Sequence, residues 1–246
     1  MFNTEKPAQT LARRASALRH RMDTEQKSAL GREMAQTLDQ PDLSQTQRTL
    51  AEEIIAKLVD DEIVAVRAAI AEAVAGSPYL PGKIAKKLAE DIADVSLPIL
   101  ELSPVLEEKI LEDIINSGIT EKIYAIAGRE NISTHICNLI VASGRKNAVV
   151  RLLKNPSAHI NDHTMINIVR VYGDDQKVEQ AIFDRGALNE DILNTLRDLS
   201  EAHVIAFIKR YFNLPEHMVD VERGRQLLER EERRTSGWWD QKQGVI

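Results

Sequence analysis

The sequence predicts an all-α protein, an α-solenoid of short helix pairs closed by helical caps, and three observations predict it. First, apolar anchors follow a turn-like corner at Leu80, Leu106, Ile132, Ile160, Leu188 and Leu214, with gaps of 26, 26, 28, 28 and 26 residues. A near-constant period of this length marks a repeat architecture. Second, the positions four and eight after each anchor and six and seven before it continue the pattern, which is one helix face on either side of the corner. With the anchors, 27 of 30 such positions are apolar, the exceptions being Lys154, Thr164 and Glu222; a composition 43% hydrophobic would give only about 13. Third, the corners carry the residues that stop one helix and start the next.

Taken in order, Asp23 with Gln26 and Ser44 with Gln47 are capping-box spacings, in which side chain and backbone satisfy each other's donors. They predict helices near 24–38 and 44–59, within a leading cap over residues 1–59. Ahead of them LARRASALRHRM sets Leu11, Ala15, Leu18 and Met22 on one stripe, with Arg13, Arg14, Arg19 and Arg21 elsewhere. This is a basic amphipathic segment, expected as a docked end helix or an arm. The repeats are expected over 60–226. Pro104 after Ser103 and Pro156 after Asn155 disfavour helix at the residue before them, while Ser133 and Asn161 offer a capping oxygen to the next helix. Gly118, Gly144 and Gly173 are expected to close second helices in the left-handed region. Residues 227–246 follow as a charged helix end and tail: Glu229 and Arg233 are spaced for an ion pair, and Trp238 and Trp239, the chain's two tryptophans, are expected to seal that end.

The stretch DDEIVAVRAAIAEAVAGSP (60–78) puts an acidic pair before a helix that continues through Val66, Arg67 and an alanine-rich run. Together with ILELSPVLEE, YAIAGRENIS and VVRLLKNPSAHIND it resembles a bacterial HEAT-like repeat family of unknown function, from Leu43 to Leu199. The resemblance implies a right-handed α-solenoid, with Val66 packing inward and Arg67 reaching a neighbouring acid. It implies no catalytic residues.

Composition narrows the function. The 246 residues carry a net charge of −6 and only 4% aromatics, which disfavours nonspecific nucleic-acid binding and leaves packing to aliphatic side chains. No apolar run approaches the roughly 18 to 20 residues that span a bilayer, and a cytoplasmic protein is expected. Cys137, the one cysteine, sits in an apolar run and reads as a small buried hydrophobe. His159 and His163 lack the glutamate of an HExxH zinc site, the carboxylates Glu107, Glu108 and Glu112 follow the polar side of a helix, and no glycine-rich phosphate loop occurs. Neither a metal nor a cofactor is expected.

What remains is surface recognition. Residues 119–173 hold seven basic and three acidic side chains, after a stretch, 50–118, with six and fourteen. The candidate partner-binding residues are Lys122, Arg129, Arg145, Lys146, Arg151, Lys154 and Arg170, a set suited to an acidic or phosphorylated protein partner. The reading is a noncatalytic scaffold or regulatory adaptor. Its competitor is a nucleic-acid-binding HEAT-like protein, or a DNA glycosylase-like enzyme resembling the HEAT-like alkylpurine glycosylases, which would require a continuous basic groove, aromatic residues for stacking and a carboxylate in the cleft.

Overall fold

The computed structural model describes residues 22–173 and 175–186, and among them the chain is all-α with no strand. Two compact units meet between Glu130 and Asn131, a division inside the span 60–226 expected as one array. The first holds α1 (Thr24–Leu38), α2 (Gln45–Leu58), α3 (Val64–Val74), α4 (Gly82–Glu90), α5 (Ala93–Leu102), α6 (Glu108–Asn116) and α7 (Thr120–Ala127). The second holds α8 (Thr134–Ala142), α9 (Lys146–Lys154), α10 (Asp162–Tyr172) and α11 (Gln176–Arg185). The anchors Leu188 and Leu214, the stretch from Leu11 to Arg21, the Glu229 and Arg233 pair, and Trp238 and Trp239 lie outside the described residues.

Local chemistry sets the helix boundaries. Both capping boxes form: the Gln26 N–H donates to Asp23 Oδ1 at 2.8 Å while the Asp23 N–H donates to Gln26 Oε1 at 3.1 Å, and Ser44 and Gln47 repeat the exchange. Ser133 and Asn161 accept from the N–H groups of Ile136 and Thr164 at 3.3 and 2.8 Å. Ser103 and Asn155 are extended ahead of their prolines, as the proline ring requires. Gly118 and Gly144 adopt φ of 76° and 73°, where a side chain would be strained. Gly173 departs from expectation: its φ is −63° and its N–H donates to Val169 at 2.8 Å. That bond continues the helical ladder, so α10 ends there without a left-handed residue.

In the first unit, α1 packs on α3, α3 on α5 and α5 on α7, while α2 lies against α1 and α3, α4 against α5 and α6 against α7. In the second, α9 packs on α11 and α8 on α10, with α8 against α9 and α10 against α11. Helices of 8 to 15 residues are marginal alone, and burying one face of each against a neighbour is what holds them. The buried side chains include Leu38, Ile54, Ile70, Leu88, Ile99, Leu100, Ile123 and Ile126 in the first unit and Ile136, Ile140, Leu152 and Ile168 in the second, each contributing about 1.5–3 kcal/mol. Among the described residues the apolar periodic positions are buried as the pattern requires, with Ala73, Ile110 and Ile160 half-buried. Of the exceptions, Lys154 is exposed, whereas Thr164 is buried and donates its hydroxyl to Asn138 and Asn161 oxygens at 2.6 and 2.7 Å.

One close approach fixes how α1 meets α3. A Cβ at Gly31 would lie 2.5 Å from Cγ1 of Ile70, a fully buried residue. Replacing a mid-helix glycine with alanine ordinarily gains up to about 1 kcal/mol, but overpacking a filled core costs about 1–3 kcal/mol. Gly31→Ala is expected to lower unfolding free energy, read as a reduced urea midpoint with unchanged m-value.

Candidate functional site

The starts of the first helices of successive pairs are tied together by charge. Asp61, just before α3, accepts from Lys27 Nζ of α1 at 2.6 Å and from the Ile63 N–H at 3.0 Å. Arg67, in the first turns of α3, donates through Nη1 to the Asp61 and Glu62 carbonyls at 2.8 and 3.3 Å. Its Nε and Nη2 fork onto the two carboxylate oxygens of Asp91 at 2.6 and 2.9 Å, the bidentate geometry that suits a guanidinium. Asp91 Oδ1 accepts from the Ile92 N–H at 2.7 Å, and Lys122 of α7 donates to the Asp91 and Ala89 carbonyls at 2.6 and 3.1 Å. The second unit repeats the device. Lys146 of α9 reaches Asp175 at 2.6 Å, and Asp175 accepts from the Lys177 and Val178 N–H groups at 3.0 and 3.3 Å.

Each aspartate therefore does two jobs, accepting an ammonium or guanidinium from the previous first helix and N–H groups at the start of its own. The Arg67 fork holds the Asp91 carboxyl below the usual carboxylate range against the opposing effect of burial, and Lys146 does the same for Asp175. For Asp61 burial pushes upward, yet Lys27 and the Ile63 N–H together outweigh it. The same fork raises the Arg67 pKa.

The seven basic residues of the expected patch part company. Lys122 is 5% exposed, and burial lowers its pKa while its ammonium is spent on carbonyls. Arg129 turns inward as well, donating to the Leu100 and Ser103 carbonyls, both at 2.7 Å. In the second unit, Arg145 stands exposed at the start of α9, Lys146 pairs with Asp175, Arg151 is half-buried, and Lys154 is exposed at the end of α9. Arg170 is exposed in the last turn of α10. Four of the seven thus belong to one helix and its cap.

Arg185 was outside that set, yet it does what Arg129 does: its guanidinium donates to the carbonyls of Leu153, Asn155 and Ala158 at 3.0, 2.6 and 2.7 Å. Its signal lay in the period, because Arg129 and Arg185 each stand three residues before an anchor. Burial lowers the pKa of both guanidinium groups, which stay charged regardless.

Cys137 is fully buried, and burial pushes its thiol up to about 11. His159 and His163 are exposed; the His159 N–H donates to the Ile132 carbonyl at 2.9 Å, and His163 Nδ1 lies 3.4 Å from the Asn167 amide. Glu107 and Glu108 are exposed and Glu112 is half-buried, with Lys109 bridging Glu112 and Asp113 at 3.3 and 3.1 Å. Among the described residues no three His, Cys, Asp or Glu side chains are grouped to hold a metal ion, and no helix is long and apolar enough to cross a membrane.

Compared with known proteins, residues 95–243 match the family described as an uncharacterised protein conserved in bacteria, DUF2336. No curated protein and no solved structure matches the chain.

Two outcomes follow from this geometry. A folded carboxyl held below its unfolded value of about 3.9 gives stability that is complete above that pH and is lost as pH falls through the native value. Asp91→Asn should therefore cost about 1.5–3 kcal/mol at neutral pH and show a shallower loss of stability below about pH 4 than the parent chain in acid denaturation. Cys137, neutral and enclosed, should leave a chromogenic disulfide reagent unreacted at pH 8 and titrate fully once denaturant is added.

Proposed function

The chain belongs to the bacterial DUF2336 family, and from that premise we propose that it is a noncatalytic protein-binding scaffold or regulatory adaptor, built as a right-handed HEAT-like α-solenoid and working in the cytoplasm. The observation that carries the reading is the recurrence of one junction, Lys27 to Asp61, Arg67 to Asp91 and Lys146 to Asp175. Equivalent helices are joined the same way more than once, which is how a tandem array keeps register and lays equivalent surfaces side by side. Val66 is fully buried while Arg67 pairs with Asp91, the division of labour that the resemblance to HEAT-like repeats implies.

Within this reading the partner meets the second unit through α9. Arg145 and Lys154 present exposed cations at its two ends, with Arg151 between them and Arg170 on α10, and such a set favours an acidic or phosphorylated segment. Lys122 and Arg129 take no part in that contact, since their donors are engaged on backbone carbonyls.

The full chain carrying Arg145→Glu and Lys154→Glu is expected to fold, with an unchanged helical spectrum, and to lose at least tenfold in affinity for a partner recovered with the parent chain by affinity purification and then purified. A partner that both chains bind equally would remove the basic residues from the contact.

A further inference from the structure

A different surface, made of none of the residues used above for the partner contact, lies at the starts of α3, α5 and α7. Ile63, Ile92 and Ile119 occupy the N-cap positions of these three helices and are 41%, 50% and 43% exposed, with Val64 beside Ile63 at 36%. None of the three N-cap side chains makes a capping hydrogen bond. An isoleucine is among the poorest choices there, giving up a cap worth about 0.5–2 kcal/mol. In the second unit α9 and α11 begin instead at Arg145 and Asp175.

The polar junction places these three isoleucines together. Asp91 binds Arg67, four residues after Ile63; its own N–H acceptor contact is with Ile92; and its carbonyl takes Lys122, three residues after Ile119. The three helix starts therefore form one ledge, stepped by about 8–10 Å, the distance between packed helix axes. The exposed charges nearest the ledge isoleucines in sequence are acidic, and the cations Lys27 and Lys87 that reach its edge are paired with Asp61 and Asp60. Glu62, Asp94 and Glu121 are exposed, each within two residues of a ledge isoleucine, whereas Arg67 and Lys122 are turned to the junction.

We propose that this ledge docks a cationic amphipathic helix of another protein. Exposed carboxylates alternating with apolar contacts complement lysine or arginine flanking an apolar stripe. A helix rises about 10.5 Å in seven residues and returns nearly to the same face, so apolar residues seven apart meet successive ledge isoleucines. A β-strand covers that distance in about three residues, which leaves alternate contacts on its far side. A second copy is disfavoured because it would bring the same carboxylates face to face.

The test uses the full chain and a fluorescein-labelled 21-residue helical peptide with leucines at heptad spacing flanked by lysines, against a scrambled peptide of the same composition. Anisotropy should show binding of the patterned peptide at least tenfold tighter than of the scrambled one, weakening as salt rises. Ile63→Ser, Ile92→Ser and Ile119→Ser together should reduce affinity at least tenfold, and so should Glu62→Lys, Asp94→Lys and Glu121→Lys together. The serines supply missing caps, so the first variant should melt at or above the parent temperature, which separates lost docking from lost folding. The Arg145→Glu and Lys154→Glu chain should bind the peptide unchanged, which keeps this result independent of the proposed α9 contact. Equal binding of the two peptides, or indifference to the isoleucine variant, overturns the proposal. A parent dimer in sedimentation that the isoleucine variant abolishes assigns the ledge to a second copy, and binding that appears only after residues 1–21 are deleted assigns it to the chain's own basic segment; either result overturns an external partner.

Discussion

An aspartate placed just ahead of a first helix, holding a cation from the helix before it, is the interaction on which the rest depends. Apolar burial is strong but carries no direction: an aliphatic stripe slides along another at little cost, since one methylene replaces the next. A carboxylate that must meet both a fixed N–H and a fixed guanidinium has only one place to be. Asp91 meets that condition with three bonds of 2.6 to 2.9 Å, and it sets α3 and α5 at one height. Lys122 then hangs α7 on the backbone of the same residue. Register is decided at this edge, and the aliphatic interior fills in behind it.

What was legible in the sequence was whatever is decided within about four residues or repeated along the period. Asp23, Ser44, Ser133 and Asn161 cap helices as their spacing requires, because capping geometry is local. Leu80, Leu106 and Ile132 are buried because period-spaced apolar residues have a common interior to enter. Gly173 departs from its expected conformation for a reason of the same kind: glycine permits the left-handed region without requiring it.

The candidate site was legible only in part, because charge along a chain does not say where a long side chain ends. Lys122 and Arg129 occupy positions that count as polar, yet their tips reach carbonyls 26 to 33 residues away in the chain, and Arg129 in particular spans the end of α5. Side chains of this length bury their stems and choose a destination that one-dimensional patterning does not encode. The island of seven cations accordingly separates into structural ties, Lys122 and Arg129 in the first unit and Lys146 in the second, and a remainder on α9 and α10. The ledge isoleucines escaped notice because each, taken alone, is an ordinary apolar residue next to a helix start. Only the bonds through Asp91 show that Ile63, Ile92 and Ile119 are neighbours.

Arg129 and Arg185 both grip main-chain carbonyls. Every residue type supplies a carbonyl, so the gripped half of the contact asks nothing of the amino acids that provide it. Substitution at Leu100, Ser103, Leu153 or Ala158 is then judged by packing alone, and a fork of five donors can follow an acceptor that shifts by a residue. Arg185 does take a different trio of acceptors from the pair that Arg129 takes. A joint of this kind lets successive pairs drift in composition, and lengthen from 26 to 28 residues, while the seam between them stays closed.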